Sequence, residues 1–164
     1  MESFITYYRS PIGNLKICGN ENFVSEISFV DNNDQWTPES IVLPPLAIQC
    51  VEEMIQYFHG ARRSFEFAIH QDGTSFQQKV WNELMNIPFG RRISYLELAR
   101  RLGDTNSIRA AASANGRNKL AIIVPCHRVV GSKNDLVGYM GGLWRKKWLL
   151  DLETKVAYGV QTLF

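Results

Sequence analysis

Cysteine is scarce in this sequence, and its spacing excludes two kinds of architecture. The 164 residues include three cysteines, Cys18, Cys50 and Cys126, an odd number at wide spacing. That pattern argues against a disulfide framework and for a reducing compartment. Because CxxC and HxxxH motifs are lacking, we do not expect Cys18, Cys50, His59 and His70 to form a zinc site.

Long apolar runs are also missing. No segment stays apolar long enough to span a bilayer, and the first six residues lack a basic stretch followed by an apolar one. We therefore expect no membrane association and a cytoplasmic location, or a nuclear one in a eukaryote. With 45% apolar residues, the chain can still bury one sizeable core or two small ones.

Acidic residues are concentrated in the first half of the chain and are scarce in the second. Residues 1–73 carry four Arg and Lys against ten Asp and Glu, a formal charge of −6. Residues 74–164 carry fourteen against six, a formal charge of +8. A basic half joined to an acidic half predicts a polyanion-binding domain with a partner domain that does not contact the ligand. The alternative is a solvated surface whose charges segregate by chance.

The pattern of residues 1–73 predicts a small antiparallel sheet with one helix. We expect strands at 4–8, 15–19 and 23–30, followed by a loop at 31–45. Apolar residues recur at helical spacing over 46–58, with Cys50 on the core stripe and Gly60 as the stop. Alternation over 65–69 predicts a fourth strand. No chemistry is visible in this half.

A domain boundary is predicted at 71–74, which divides the chain into domains 1–73 and 74–164. From Ser75 the pattern turns helical, and Ser75 with Gln78 matches the capping box that begins a helix.

Two further helices follow in close succession. Ser94 with Glu97 matches a second capping box, which opens a helix over 95–102. Ser107 is a candidate N-cap for a helix over 108–114. A helix, a short glycine-containing turn and a helix together predict a helix-turn-helix unit.

The second helix of this pair is nearly free of bulky side chains. Four alanines and a serine make up most of it, and Arg109 is its only long polar side chain. A helix that reads sequence would carry several polar side chains for base edges in the major groove. This composition instead suits contact with a shallow or narrow groove. The alternative is a tightly packed internal helix, because alanine is a good helix former.

The chemistry is concentrated in 122–130, where two apolar runs enclose Cys126, His127 and Arg128. A cysteine reacts as its thiolate, and a nearby His or Arg lowers the pKa of the thiol and holds the anion. Adjacent side chains point in different directions, so we expect a water or a short irregular turn to link His127 to Cys126. The alternative is an inert buried cysteine beside a surface His–Arg pair.

The last helical pattern places a carboxylate on its apolar stripe. The residues on this stripe are Leu143, Lys146, Leu149, Leu150 and Glu153. A buried carboxylate needs a partner, and His127 is the candidate. This predicts a relay from Cys126 through a water to His127 and Glu153, in which the carboxylate orients the imidazole as in a hydrolase triad. The alternative is an exposed glutamate at a frayed helix end.

Two further features suit chemistry on a nucleic-acid base. A base inside a duplex must leave the stack before it can react, and a long planar cation such as Arg109 is suited to fill the gap. The glycine-rich stretch 138–142 around Tyr139 offers an aromatic face and a backbone that can approach a flat ligand closely. On its own, that stretch is more typical of a turn.

Taken together, these motifs resemble those of the O6-alkylguanine-DNA alkyltransferases, also called methylated-DNA-protein-cysteine methyltransferases. The likeness is carried by PCHRVVG at 125–131 and LVGYMGGL at 136–143, and upstream by ISY at 93–95, SIRA at 107–110 and ANGRN at 114–118. It covers roughly residues 76–153 with the motifs in the family's order and spacing.

The resemblance implies an α+β fold. In it a small antiparallel sheet with a helix, ribonuclease H-like, precedes a mostly helical, winged-helix-like domain that contains the helix-turn-helix. It implies repair of double-stranded DNA by irreversible transfer of a methyl or other alkyl group from O6-alkylguanine, and from O4-alkylthymine, to Cys126. The base would be flipped out through the minor groove. Each molecule would act once, because no visible group can hydrolyse the thioether. It would act as a monomer and without a cofactor or metal.

The resemblance also assigns roles residue by residue. Cys126 is implied as the acceptor, His127 as its base, Glu153 as the orienter of that base, and Asn118 as the tie between the two halves of the site. Base contacts are implied for Tyr95 as a donor, for the backbones at Val129 and Met140, and for Tyr139 and Lys146 in the pocket wall. DNA contacts are implied for Arg109, which fills the stack, and for Ala110 and Ser132.

The sequence departs from the family pattern at two positions. Lys119 stands where the family often has proline, so that turn is expected to be less rigid. Met140 replaces a small residue, which is expected to narrow the pocket and disfavour large alkyl groups.

Three other functions would each require a different feature or behaviour. A non-repairing sensor of alkylated DNA would lack the acceptor cysteine. A helix-turn-helix transcription factor would prefer one DNA sequence and ignore alkylation. A cysteine hydrolase would turn over, but it would leave Arg109 and the basic half unexplained.

Overall fold

The structure, a computed structural model, describes residues 3–31 and 37–159. Part of the predicted loop, residues 32–36, lies outside the described residues. The chain divides into two compact units, Met1–Gln71 and Asp72–Phe164. Among the described residues, no helix combines the length and the apolar character needed to cross a membrane.

The N-terminal unit is an antiparallel meander of three strands with one helix. The elements are β1 (Ser3–Ser10), β2 (Gly13–Asn20), β3 (Val24–Val30) and α1 (Pro45–Phe58). β1 and β2 pair from Ser3 with Asn20 to Ser10 with Gly13, so a two-residue connection fixes the register. α1 contacts all three strands and buries Cys50 completely, which confirms its predicted place on the core stripe.

The predicted fourth strand at 65–69 is wrong. Within the described residues the segment forms one isolated parallel bridge, between Ile69 and Val24, with two backbone hydrogen bonds to Val24 of β3. The backbone N–H of Glu66 donates to the carboxylate of Glu53 on α1, at 2.8 Å, and not to a neighbouring strand. The Phe65 ring packs on Tyr57 of α1 with centroids 5.6 Å apart. Contacts with α1 and a single bridge to β3 therefore account for the apolar alternation that resembled a strand.

The C-terminal unit is mostly helical. Its elements are α2 (Ser75–Leu84), β4 (Ile93–Ser94), α3 (Tyr95–Arg101), α4 (Ile108–Gly116), β5 (Val129–Val130) and α5 (Leu143–Tyr158), with 3-10 turns at Thr105–Ser107 and Cys126–Arg128. β4 and β5 form a short parallel pair. The indole N–H of Trp81 donates to the carbonyl of Ala114 at 2.9 Å and ties α2 to α4. The predicted α+β class is confirmed, and α3 with α4 forms the predicted helix-turn-helix.

The first capping box lies one residue earlier than predicted. Thr74, with an extended backbone, is the N-cap of α2, because Ser75 is already helical. The Thr74 hydroxyl accepts from the N–H of Gln77 at 3.1 Å, and the Gln77 side chain accepts from the N–H of Thr74 at 2.9 Å. The pairing of Ser75 with Gln78 was therefore wrong in register, although it located the start of the helix.

The other two predicted caps are partly correct. Ser94 accepts from the N–H of Glu97 at 3.0 Å, but the Glu97 carboxylate binds Arg100 and Arg101 and does not close the box. Ser107 precedes α4 without a side-chain cap, because its hydroxyl donates to the carbonyl of Asp104 at 2.6 Å. α4 also extends to Gly116, two residues beyond the predicted end.

Candidate active site

Cys126 begins a 3-10 turn that leads directly into β5. Pairing of β5 with β4 fixes this turn beside the start of α3, where Tyr95 follows β4. The apolar run before Cys126 forms turns and not a strand, and the buried Ile122 has a φ of 74°. A β-branched residue in the left-handed region is strained, and such strain is frequent at functional sites.

The Cys126 side chain is 5% exposed and lies in the wall of a cavity of about 260 Å³. The other lining residues are Tyr95, Ala112, Asn115, Gly116, Gly138, Tyr139 and Met140. Pockets that bind drug-sized ligands measure about 300–1,000 Å³, so this cavity suits a somewhat smaller molecule, of the size of one flat base. The predicted residues Tyr95, Cys126, Tyr139 and Met140 therefore meet at one cavity.

Asn118 holds the turn that carries the sulfur. Its Nδ2 donates to the carbonyl of Val124 at 2.8 Å and to Cys126 Sγ at 3.4 Å, and its Oδ1 accepts from the N–H of Leu120 at 3.0 Å. The side chain is buried. Asn118 thus connects the end of α4 with the nucleophile, which is the arrangement needed for its predicted role.

His127 follows Cys126 in the 3-10 turn and faces a buried carboxylate. His127 Nε2 is 2.7 Å from Glu153 Oε2, and the two side chains are 0% and 1% exposed. The second ring nitrogen, Nδ1, is also buried, and no described residue hydrogen-bonds to it. The predicted partnership of His127 with Glu153 is therefore present, and the alternative of an exposed terminal glutamate is wrong.

Arg128 binds Glu153 and not the thiol. Its Nε donates to Glu153 Oε1 at 2.8 Å, and its Nη2 donates to Oε2 at 3.0 Å. The remaining terminal nitrogen donates to the carbonyl of Ile87 at 2.8 Å. The expectation that Arg128 holds the thiolate is thus not met. The signal for its true partner was present, because a buried carboxylate needs a cation as well as a histidine.

Burial and charge set the protonation states of this cluster. Burial alone would raise the pKa of Glu153, but His127 and Arg128 outweigh it and the pKa lies below its ordinary value. Burial lowers the pKa of His127 more than Glu153 raises it, and this favours the neutral imidazole. Burial raises the pKa of Cys126, which the Asn118 hydrogen bond and the charge of Lys146 oppose. A buried thiol therefore lies next to a neutral base.

Lys146 and Tyr95 share an acceptor on the segment between β5 and α5. Lys146 Nζ donates to the carbonyls of Val137 and Gly138 at 2.9 and 3.1 Å, and the Tyr95 hydroxyl donates to the Val137 carbonyl at 3.1 Å. The Lys146 ammonium lies 5.7 Å from the centroid of the Tyr95 ring. Lys146 is therefore behind the cavity and is not one of the residues that line it.

The remaining predicted residues divide between buried and exposed positions. Val129 is fully buried in β5 and does not line the cavity, whereas Met140 is 81% exposed at its rim. Arg109 and Ala110 are exposed on the first turn of α4, and Ser132 is exposed after β5. One face of α4 therefore reaches solvent, so the alternative of an internal helix is wrong.

Sequence reasoning missed the contribution of α4 to the cavity wall. Ala112, Asn115 and Gly116 all line the cavity. The helix composition was interpreted only for its outer face. A second face of small residues directed inward was the signal.

Within the described ranges, no group of three His, Cys, Asp or Glu side chains is suited to hold a metal ion.

A buried thiol in a cavity wall, the His127–Glu153 pair next in the chain and a small-residue helix define a cysteine-centred site on a helix-turn-helix unit. Comparison with known proteins gives the family. The model for the ribonuclease-like domain of 6-O-methylguanine DNA methyltransferase matches residues 4–71, and that for its DNA binding domain matches residues 75–155. The chain belongs to the 6-O-methylguanine DNA methyltransferase family.

Relatives match over nearly the whole chain. A methylated-DNA–protein-cysteine methyltransferase of Mycobacterium tuberculosis is 39% identical over 160 residues, 94% of each protein. The crystal structure of the M. tuberculosis O6-methylguanine methyltransferase superposes with a TM-score of 0.84 at 36% identity, covering 94% of each chain. A crystal structure of the same organism's protein in complex with DNA gives 0.82 at 38% identity and 92% coverage of each chain.

Proposed function

We propose that this chain is a methylated-DNA–protein-cysteine methyltransferase that transfers the alkyl group of O6-alkylguanine in duplex DNA to Cys126. The observation that carries the proposal is the Cys126 side chain in the wall of a base-sized cavity, followed in the same turn by His127, which pairs with the buried Glu153. The C-terminal unit would bind DNA and react, while the N-terminal unit would have a supporting role.

Activation of the thiol begins at the carboxylate. Glu153 accepts the Nε2 proton of His127, so Nδ1 is the basic nitrogen of the ring. A water between Nδ1 and Cys126 would carry the thiol proton to the imidazole. Glu153 and Arg128 then stabilise the imidazolium that forms, while Asn118 donates to the thiolate sulfur.

The transfer itself is an in-line displacement. The sulfur forms a bond to the alkyl carbon, the bond from that carbon to O6 breaks, and the electron pair leaves with guanine. Guanine then takes a proton from the Tyr95 hydroxyl, which turns from the Val137 carbonyl toward the base and is later reprotonated by the imidazolium or by solvent. The thioether has no means of hydrolysis, so one molecule repairs one lesion.

Access to the base requires extrusion from the duplex. The exposed face of α4, which carries Arg109, Ala110 and Ser113, has little bulk and suits close approach to the minor groove. Arg109 would enter the stack in place of the extruded nucleotide. O4-alkylthymine would enter the same cavity as a second substrate.

Mass spectrometry tests this proposal directly. The protein is mixed with a duplex that carries one O6-methylguanine, and intact and peptide masses are measured. We expect one added methyl group, on the Cys126 peptide, in the wild type and in Cys18→Ser, but none in Cys126→Ser. Tight binding of the methylated duplex without any mass change would overturn the transfer reaction and favour a sensor of alkylated DNA.

A further inference from the structure

Lys146 is a buried cation whose role the transfer reaction above does not use. Its side chain is completely buried on α5. Within residues 3–31 and 37–159, its ammonium has no carboxylate partner, and its hydrogen bonds go to the carbonyls of Val137 and Gly138. Burying an ammonium group is costly, and carbonyl dipoles compensate only in part. A further electrostatic interaction is therefore needed to offset the cost of burying the Lys146 ammonium.

The groups that face Lys146 supply that reason. Tyr95 of α3 presents its ring, and Cys126 and His127 of the 3-10 turn interact with its charge. Of these, His127 is neutral or positive, and burial raises the pKa of the Tyr95 phenol. Before the transfer, Cys126 is the one member of the three that becomes an anion; Tyr95 loses its proton only as guanine leaves. Burial lowers the pKa of Lys146 to about 8, a value that still leaves the ammonium charged at neutral pH.

We propose that Lys146 is a positioning residue that balances the charge of the Cys126 thiolate and holds the cavity wall at Val137 and Gly138. This proposal rests on the proposed function, which supplies the reaction. The claim that Lys146 balances the charge of the thiolate concerns the thiol alone and can be tested without DNA. The role differs from the base contact that the sequence implied, because the ammonium points to backbone carbonyls behind the cavity.

The shared acceptor gives Lys146 a second effect on the reaction. The Val137 carbonyl accepts from both Lys146 and Tyr95. When the Tyr95 hydroxyl turns to the leaving guanine, the carbonyl keeps one donor and is not left unpaired, which would be unfavourable. After transfer the sulfur is a neutral thioether, and the charge lies on the Tyr95 phenolate next to the Lys146 ammonium until Tyr95 is reprotonated.

Four variants separate these effects. Lys146→Met removes the charge and the donor, Lys146→Gln removes the charge but keeps an N–H donor, and Lys146→Arg keeps both. Lys147→Met is the matched control, because Lys147 is exposed and, among the residues that the structure describes, pairs with Asp151 alone, at 2.7 Å. Each variant is checked for folding by circular dichroism. The rate of Cys126 alkylation by iodoacetamide is then followed by peptide mass between about pH 6 and pH 10, a range around the ordinary thiol pKa.

We expect Lys146→Met and Lys146→Gln to shift the thiol titration upward and to slow alkylation at neutral pH by about tenfold, the effect of one pKa unit. Lys146→Arg should restore most of the rate, and Lys147→Met should match the wild type. If methyl transfer falls in Lys146→Gln while its iodoacetamide profile is unchanged, Lys146 acts on the base and the proposal is wrong. Because iodoacetamide needs no DNA, a wild type that reacts with it but not with O6-methylguanine would refute only the proposed function.

Discussion

Replacing Glu153 with glutamine tests the buried cluster behind the nucleophile. Each carboxylate oxygen accepts from Arg128, Oε2 also accepts from His127, and Oε1 lies 3.3 Å from the N–H of Gly90. A glutamine has one oxygen and one NH₂ group, so its amide hydrogens would face donors. Arg128 would also remain buried without its counter-charge. Breaking a buried ion pair from one side costs about 3–5 kcal/mol, a large part of the ~5–15 kcal/mol that stabilises a domain.

The pH dependence gives this prediction a second signature. The pKa of Glu153 is lower in the folded protein than in the unfolded chain, where it is about 4.3. The native state therefore binds fewer protons, and the contribution of the carboxylate is fully present above about pH 5 and is lost as the pH falls below that range. The wild type should exceed Glu153→Gln by a constant free energy near neutral pH, and the difference should shrink in acid.

Urea unfolding followed by tryptophan fluorescence measures both effects. Asp151→Asn is the matched control on the same helix, because Asp151 is exposed and, in the described part of the chain, its one ion pair is the surface pair with Lys147. We expect that control to stay within about 0.5 kcal/mol of the wild type. A cost below about 1 kcal/mol for Glu153→Gln, or a difference that persists unchanged in acid, would refute the assignment of Glu153 as a buried charge.

Three further predictions concern the cap, the helix and the rim. Thr74→Ala should lower the free energy of unfolding by about 1 kcal/mol, whereas Ser75→Ala should change it little; equal effects in urea unfolding would contradict the cap assigned here. Arg109→Ala should slow methyl transfer from duplex DNA but not from free O6-methylguanine base, and mass spectrometry compares the two; equal slowing would exclude a role in extrusion. Met140→Ala should raise benzyl transfer relative to methyl transfer by up to about tenfold, measured by competition between two duplexes.

Features set by local signals were predictable from the sequence. Apolar spacing located α1 and placed Glu153 on the buried stripe of α5, and polar residues before helical patterns located the starts of α2 and α3. These signals depend on neighbours along the chain, so one sequence is enough to read them. Cys126 and His127 are also neighbours along the chain, so the sequence alone was enough to indicate a reactive thiol at this position.

Features that depend on distant partners were harder to predict. Spacing shows that a face is buried but not what it packs against, so the segment at 65–69 resembled a strand although Glu53 and Tyr57 of α1 account for its contacts. Arg128 is next to His127 in the chain, yet its guanidinium binds Glu153, 25 residues away. The inner face of α4 was missed because small residues carry no chemical signal of their own.

The order of elements along the chain determines when, during synthesis, the Cys126 thiol acquires the groups that surround it. Glu153 lies 26 residues after His127, and Lys146 is on the same final helix. During synthesis from the N-terminus, Cys126 emerges before α5, and at that stage it lacks both the oriented imidazole and the balancing cation. Under the proposed function, Cys126 reacts once and irreversibly. The unfinished chain would then carry an ordinary thiol, which would gain its reactivity when the last helix docks.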